Sequence, residues 1–268
     1  MQHSTPDFVQ SKFDLRDWWV CGLLIAINVA LFAWQVLQGM DIGQPSSADA
    51  LRWGADYAPL TFLLQPWRLI SSMFFHFGLI HLMMNMWALY LFGKICEQML
   101  GRRYFLGLYF CAGLFGSLVS GYMAIHDSMQ LLNGQFQPAL LPSVSAGASG
   151  AVMGLGACLT VLSLLPILPQ QMFILDKKTL LMVMAINLAF GFMVSGINNA
   201  AHIGGMLMGT LLALLWYLGQ KYQTARWSNV LALLSGFAIC AVFYQYCIQL
   251  MQPLLPLWHE ILQAMQLG

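Results

Sequence analysis

A serine hydroxyl, two imidazoles and a carboxamide near the ends of apolar stretches are the groups in this chain best suited to chemistry. Ser149 lies in Ser145-Ala146-Gly147-Ala148-Ser149-Gly150-Ala151-Val152-Met153-Gly154, and His202 in Ala200-Ala201-His202-Ile203-Gly204-Gly205-Met206-Leu207-Met208-Gly209. His81 precedes Asn85 by about one helical turn. Polar and ionisable groups are costly in hydrocarbon, so those found there are candidates for function. A serine hydroxyl becomes a useful nucleophile when a base takes its proton, which needs about 2.6–3.2 Å between the heavy atoms. Gly150/Gly154 and Gly205/Gly209 are pairs at i and i+4, a pattern that lets membrane helices approach closely. Close approach is what a short hydroxyl side chain needs to reach an imidazole on another helix.

Other membrane chemistries require residues that are missing. A zinc protease would use HExxH, whereas His76 and His81 are five apart with no Glu between them, so no metal is expected. No Asp lies deep in an apolar window, which disfavours an aspartyl pair, and the scarcity of deep ionisable groups disfavours a small transporter. Asn28 and Asn187 are the notable polar groups in mid-window. A single buried serine usually bonds its own backbone, a lone histidine is more often structural, and GxxxG alone is a packing signal. Their combination is what favours serine chemistry.

The elements that must position these groups follow from composition. The 268 residues are 59% hydrophobic and 8% charged, where a soluble domain has about 25% charged. A crossing helix needs roughly 20 apolar residues, and seven windows qualify: about 18–39, 78–97, 104–125, 149–166, 179–196, 200–219 and 228–251. An all-α, polytopic transmembrane helical bundle is therefore expected. Net charge is +1 with the basic residues scattered, which argues against a nucleic-acid partner. Six cysteines without CxxC spacing carry no redox information. The first seventeen residues are polar and acidic, unlike a signal peptide, so the first span is expected to stay attached.

Lys and Arg are retained on the cytoplasmic side of short loops. With the N-terminus inside, Lys12, Arg16, Lys94, Arg102, Arg103, Lys177, Lys178, Lys221 and Arg226 fall on that face, and Arg52 and Arg68 fall outside. The even-numbered spans then run inward, and His81, Asn85, Ser149 and His202 share one depth within roughly 10 Å, two turns or less below the outer surface. Depth does not say which way each helix face points. Segment 40–77 is rich in aromatics (Trp53, Tyr57, Phe62, Trp67, Phe74, Phe75) and reads as dipping into the membrane interface. Segment 126–148 is polar and broken by Gly134, Pro138 and Pro142. Window 228–251 reads as a lipid-facing accessory helix.

Taken together, the motifs resemble those of the rhomboid family: Gly147-x-Ser149-Gly150, Ala201-His202-x-Gly204-Gly205 and His81-x-x-x-Asn85, accompanied by Trp67-Arg68, His76 and Glu97. The resemblance covers about residues 18–219. It implies a six-helix rhomboid core plus one C-terminal transmembrane helix, acting as an intramembrane serine endopeptidase with no cofactor. It further implies Ser149 as nucleophile and His202 as general base without a third member. His81 and Asn85, with the Ser149 N–H, would stabilise the oxyanion, and Trp67, Arg68, His76, Gly147, Gly150 and Gly205 would give structural support. Met153 departs from the pattern, since many members carry an aromatic residue one turn after the nucleophile; altered support for His202 is expected.

The expected organisation is a cytoplasmic segment 1–17, a protease core 18–219, a linker with the seventh span 220–251, and a tail 252–268. The partners implied are the lipid bilayer and single-span membrane proteins, whose helix would enter sideways between spans five and two and unwind locally. A relative that binds such helices without cutting is disfavoured because both Ser149 and His202 are present. The compact loops suggest a bacterial cytoplasmic membrane.

Overall fold

The computed structural model describes residues 15–135, 137–168, 176–193, 198–222 and 224–267. Among these are eleven α-helices: α1 (Trp19–Leu37), α2 (Ser47–Arg52), α3 (Ala58–Leu63), α4 (Arg68–Ser71), α5 (Leu79–Leu100), α6 (Arg102–Leu132), α7 (Ser149–Leu164), α8 (Lys177–Met193), α9 (Asn199–Lys221), α10 (Ala225–Leu250) and α11 (Leu255–Ala264). The long helices α1, α5, α6, α9 and α10 are apolar enough to cross a membrane. With α7 and α8, shorter at 16 and 17 residues, they match the seven expected windows in order. Most of the expected N-terminal segment (to residue 14), part of the link after α7 (169–175) and the end of the fifth window (194–196) lie outside the described residues.

Local sequence explains the breaks. One residue, Gly101, separates α5 from α6, and its φ of +82° lies where a side chain is disfavoured. Ser46 and Asp49 form a reciprocal capping box at the start of α2. At the opposite end of the bundle, the buried Glu97 carboxylate accepts the backbone N–H groups of Val20 (3.1 Å) and Cys21 (2.7 Å). It thus satisfies the first turn of α1, whose amides have no helical acceptor, and fastens α1 to α5.

Helix α7 sits at the centre, against α5, α6, α8 and α9. In a bilayer, helices gain little from hydrophobic association, and close van der Waals packing takes over. A Cβ at Gly205 would overlap the Gly150 carbonyl oxygen, and one at Gly209 the Gly154 carbonyl oxygen. A Cβ at Gly116 on α6 would lie 2.6 Å from the Ala201 carbonyl oxygen on α9. Glycine therefore brings α6, α7 and α9 together backbone to backbone.

The outer segment 40–77 folds as a compact wedge of short helices. Arg68 is its brace: Nη1 donates to the Ala55 carbonyl (2.7 Å) and Nε to Gln65 Oε1 (2.8 Å), while the guanidinium lies 4.8 Å from the Trp67 ring centroid. Helix α10 exposes much of its surface, as expected of an accessory helix, but seats one face on α6 and α9. The tail folds back as α11. Trp258 is fully buried and donates its indole N–H to Ser128 Oγ at 3.1 Å, and Leu262 joins Leu51, Tyr57 and Leu60 of the outer segment.

Candidate active site

Ser149 opens α7 at the end of a strap that the outer segment holds from several sides. Asp56 and Ser145 exchange backbone hydrogen bonds of 2.9 and 2.8 Å, and the Gly147 N–H donates to the Ser72 carbonyl at 2.8 Å. The Ala148 N–H points to His76 Nε2 at 3.5 Å. His76 is fully buried and lies outside the spans; burial, reinforced by neighbouring His81, holds its pKa well below the usual imidazole range. It therefore stays neutral and able to accept.

His202 lies in the first turn of α9. The Asn198 side chain caps that helix, its Oδ1 accepting from the Ala200 N–H at 2.8 Å and the Ala201 N–H at 3.4 Å, and its Nδ2 donates to Ser120 Oγ on α6 at 2.6 Å. This fixes both the start of α9 and its docking on α6. His202 Nε2 and Ser149 Oγ then stand 2.7 Å apart, with the two residues 1% and 8% exposed. If the hydroxyl donates, Nε2 accepts and the neutral ring carries its proton on Nδ1. Nδ1 is buried with no partner among the described residues, so no carboxylate completes a triad there.

His81 has a defined tautomer. Its Nδ1 accepts the Phe77 N–H at 3.2 Å, which leaves the proton of the neutral ring on Nε2. That buried Nε2 has no partner among the described residues. It faces the strap at Gly147, where a Cβ would come within 3.0 Å of it and 3.7 Å of Ser149 Oγ. Gly147 has φ +127°, and the missing side chain leaves space bordered by the Ser149 hydroxyl and the His81 ring. Asn85 donates from Nδ2 to the His81 carbonyl at 3.0 Å, and its buried Oδ1 has no partner among the described residues.

Ser149, His202, His81 and Gly147 thus meet at one point, with Asn85 one turn below His81. Gly150 and Gly205 form the α7–α9 contact directly beneath. Trp67 and Arg68 stand apart, inside the outer wedge. Met153 is buried one turn below Ser149 and lines an apolar cavity of about 360 Å³ with Met184 and Met206. Asn198 had a readable signal as a capping asparagine before an apolar helix. Asp56, Ser72 and Ser120 had none, because their contacts are made through tertiary approach.

Comparisons with known proteins identify the family. The Rhomboid domain model matches residues 63–221. Rhomboid protease GluP of Bacillus subtilis (strain 168) is 32% identical over 192 residues, covering 71% of this chain and 33% of the relative. Rhomboid protease AarA of Providencia stuartii is 26% identical over 230 residues, 81% of this chain and 80% of the relative. RHOMBOID-like protein 2 of Arabidopsis thaliana is 35% identical over 199 residues, 74% of this chain and 57% of the relative. The chain thus spans from a third to four fifths of these relatives. The matched region runs from the end of α3 through α9 and includes the strap, the paired glycines and both members of the Ser149–His202 hydrogen bond; this chain belongs to the rhomboid family.

Proposed function

We propose that the protein is an intramembrane serine endopeptidase that hydrolyses peptide bonds in or near transmembrane segments, with Ser149 as nucleophile and His202 as general base. The observation that carries this reading is the buried 2.7 Å contact between Ser149 Oγ and His202 Nε2. His202 takes the hydroxyl proton as Oγ attacks the scissile carbonyl, then delivers it to the leaving amine; water releases the acyl group by the same steps. The developing oxyanion is met by the Ser149 N–H, which has no acceptor within its own helix, by the His81 Nε2–H, and by the second Nδ2 proton of Asn85. Donors held in place in a water-poor site stabilise such charge far better than they would in bulk water. Gly147, Gly150 and Gly205 permit the close approach, while Trp67, Arg68 and His76 brace the strap.

The substrates of this reading are single-span membrane proteins. A substrate helix enters between α5 and α8 and unwinds near the cut, since a helical peptide bond is shielded by its own hydrogen bonds. Ile80, Met83 and Trp87 give α5 an exposed apolar stripe next to the face that carries His81 and Asn85, and α8 packs chiefly on α7. The Lys and Arg distribution supports a cytoplasmic N-terminus, and the compact loops suit a bacterial cytoplasmic membrane. Residues 18–219 form the catalytic core, flanked by the segment 1–17, by 220–251 with the seventh span, and by the tail 252–268.

The test is cleavage of a reporter transmembrane helix in liposomes by purified wild type, Ser149→Ala and His202→Ala, with no cofactor added. Wild type cuts, and each variant loses at least about 10²–10⁴-fold, the range of one general base. Equal cleavage by all three would refute the assignment.

A further inference from the structure

Away from the active site, α4, α6 and α10 border an open furrow of about 440 Å³. Helix α6 contributes Arg103, Leu106, Phe110 and Leu114, α10 contributes Phe237 and α4 contributes Ile70. The lining is apolar except at the Arg103 end, and no carboxylate borders it among the described residues. Gly107 lets α10 close in beside it, since a Cβ there would lie 2.7 Å from both Leu233 methyls. The furrow is therefore a groove between packed helices and not a gap between loose ones.

Its dimensions and charge match one kind of molecule. From Arg103 to Leu114 the helix rises about 16 Å, and one leaflet of the hydrocarbon core is about 15 Å thick. Arg103 sits at the first turn of α6, at the water boundary. Neighbouring Arg102 is already engaged, donating to the Arg16 carbonyl at 2.6 Å and standing 3.7 Å from Glu97. Arg103 is exposed and pairs with no carboxylate among the described residues. A guanidinium suits a phosphodiester because its fork of N–H donors matches two phosphate oxygens.

We propose that this furrow holds one acyl chain of an anionic glycerophospholipid whose phosphate pairs with Arg103. A zwitterionic lipid carries its own cation beside the phosphate and so gains less from Arg103, whereas basic pockets between membrane helices favour anionic head groups. The site rests on the membrane reading of the chain and is independent of the catalytic assignment.

The test is native mass spectrometry of the full chain in neutral detergent, titrated with dioleoyl phosphatidylglycerol or dioleoyl phosphatidylcholine. Wild type binds phosphatidylglycerol more tightly. Arg103→Gln weakens that binding about fivefold, as expected for one basic residue, and removes the preference, while Arg103→Lys retains most of it. Leu106→Trp, which fills the furrow, weakens both lipids, and inorganic phosphate does not displace phosphatidylglycerol. Equal binding of the two lipids by wild type, an unchanged affinity in Arg103→Gln, unchanged binding of both lipids in Leu106→Trp, or displacement by phosphate alone would each overturn the proposal.

Discussion

Replacing Gly205 by alanine puts a methyl group where α9 touches the backbone of α7. The added carbon would lie 2.7 Å from the Gly150 carbonyl carbon and 3.2 Å from its Cα, besides overlapping the carbonyl oxygen. Ordinary carbon–carbon contact is about 3.5–4.0 Å, so the helices must separate by roughly 1 Å. Backbone atoms on α7 have no rotamer by which to yield. Ser149 and His202 flank this contact, so their 2.7 Å separation is expected to grow past the roughly 3.2 Å limit for proton transfer. A misplacement of that size costs on the order of 10²-fold in rate, and overpacking costs about 1–3 kcal/mol in stability. The assay is reporter cleavage alongside thermal unfolding, with Gly22→Ala on α1 as control, where the new carbon meets the Trp18 ring at an ordinary 3.6 Å. Wild-type cleavage and an unshifted unfolding midpoint in Gly205→Ala would refute the claim that glycine contact sets the dyad distance.

Three further outcomes follow from the geometry. His81→Ala should lower kcat by about 10²–10³-fold with little change in KM, because it removes a donor used only as charge develops; a pure KM effect would assign His81 to substrate binding. Burial pushes the Asp56 carboxyl up to about 6, with Thr61 and Arg68 opposing only in part. Its unfolded pKa is lower, so the stability linked to its proton is fully present below about pH 4 and lost as pH rises through about 6. Asp56→Asn should therefore gain on wild type from pH 4 to 7, by up to ~3 kcal/mol, and parallel stability–pH curves would contradict this. Trp258→Ala should cost about 3–5 kcal/mol as a large buried aromatic is lost, read by thermal unfolding, with cleavage by the folded fraction unchanged.

The amino-acid sequence by itself determined the number and order of the long helices, because a bilayer-spanning helix requires about twenty apolar residues and nothing else in the chain satisfies that rule. It also placed Ser149, His202, His81 and Asn85 at one depth, since rise per residue along a helix is constant. The paired glycines announced that helices would meet closely. What the sequence left open was rotation about each helix axis, and hence whether these groups face one another. That was decided by contacts between distant segments: the glycine seam of α7 and α9, the Asn198–Ser120 clamp, and the strap held at Ser145 and Gly147 by the outer wedge. The wedge and tail were illegible for the same reason. The wedge helices, of 6, 6 and 4 residues, are too short for periodicity to reveal a face, and the burial of Arg68 and Trp258 depends on partners 13 and 130 positions away.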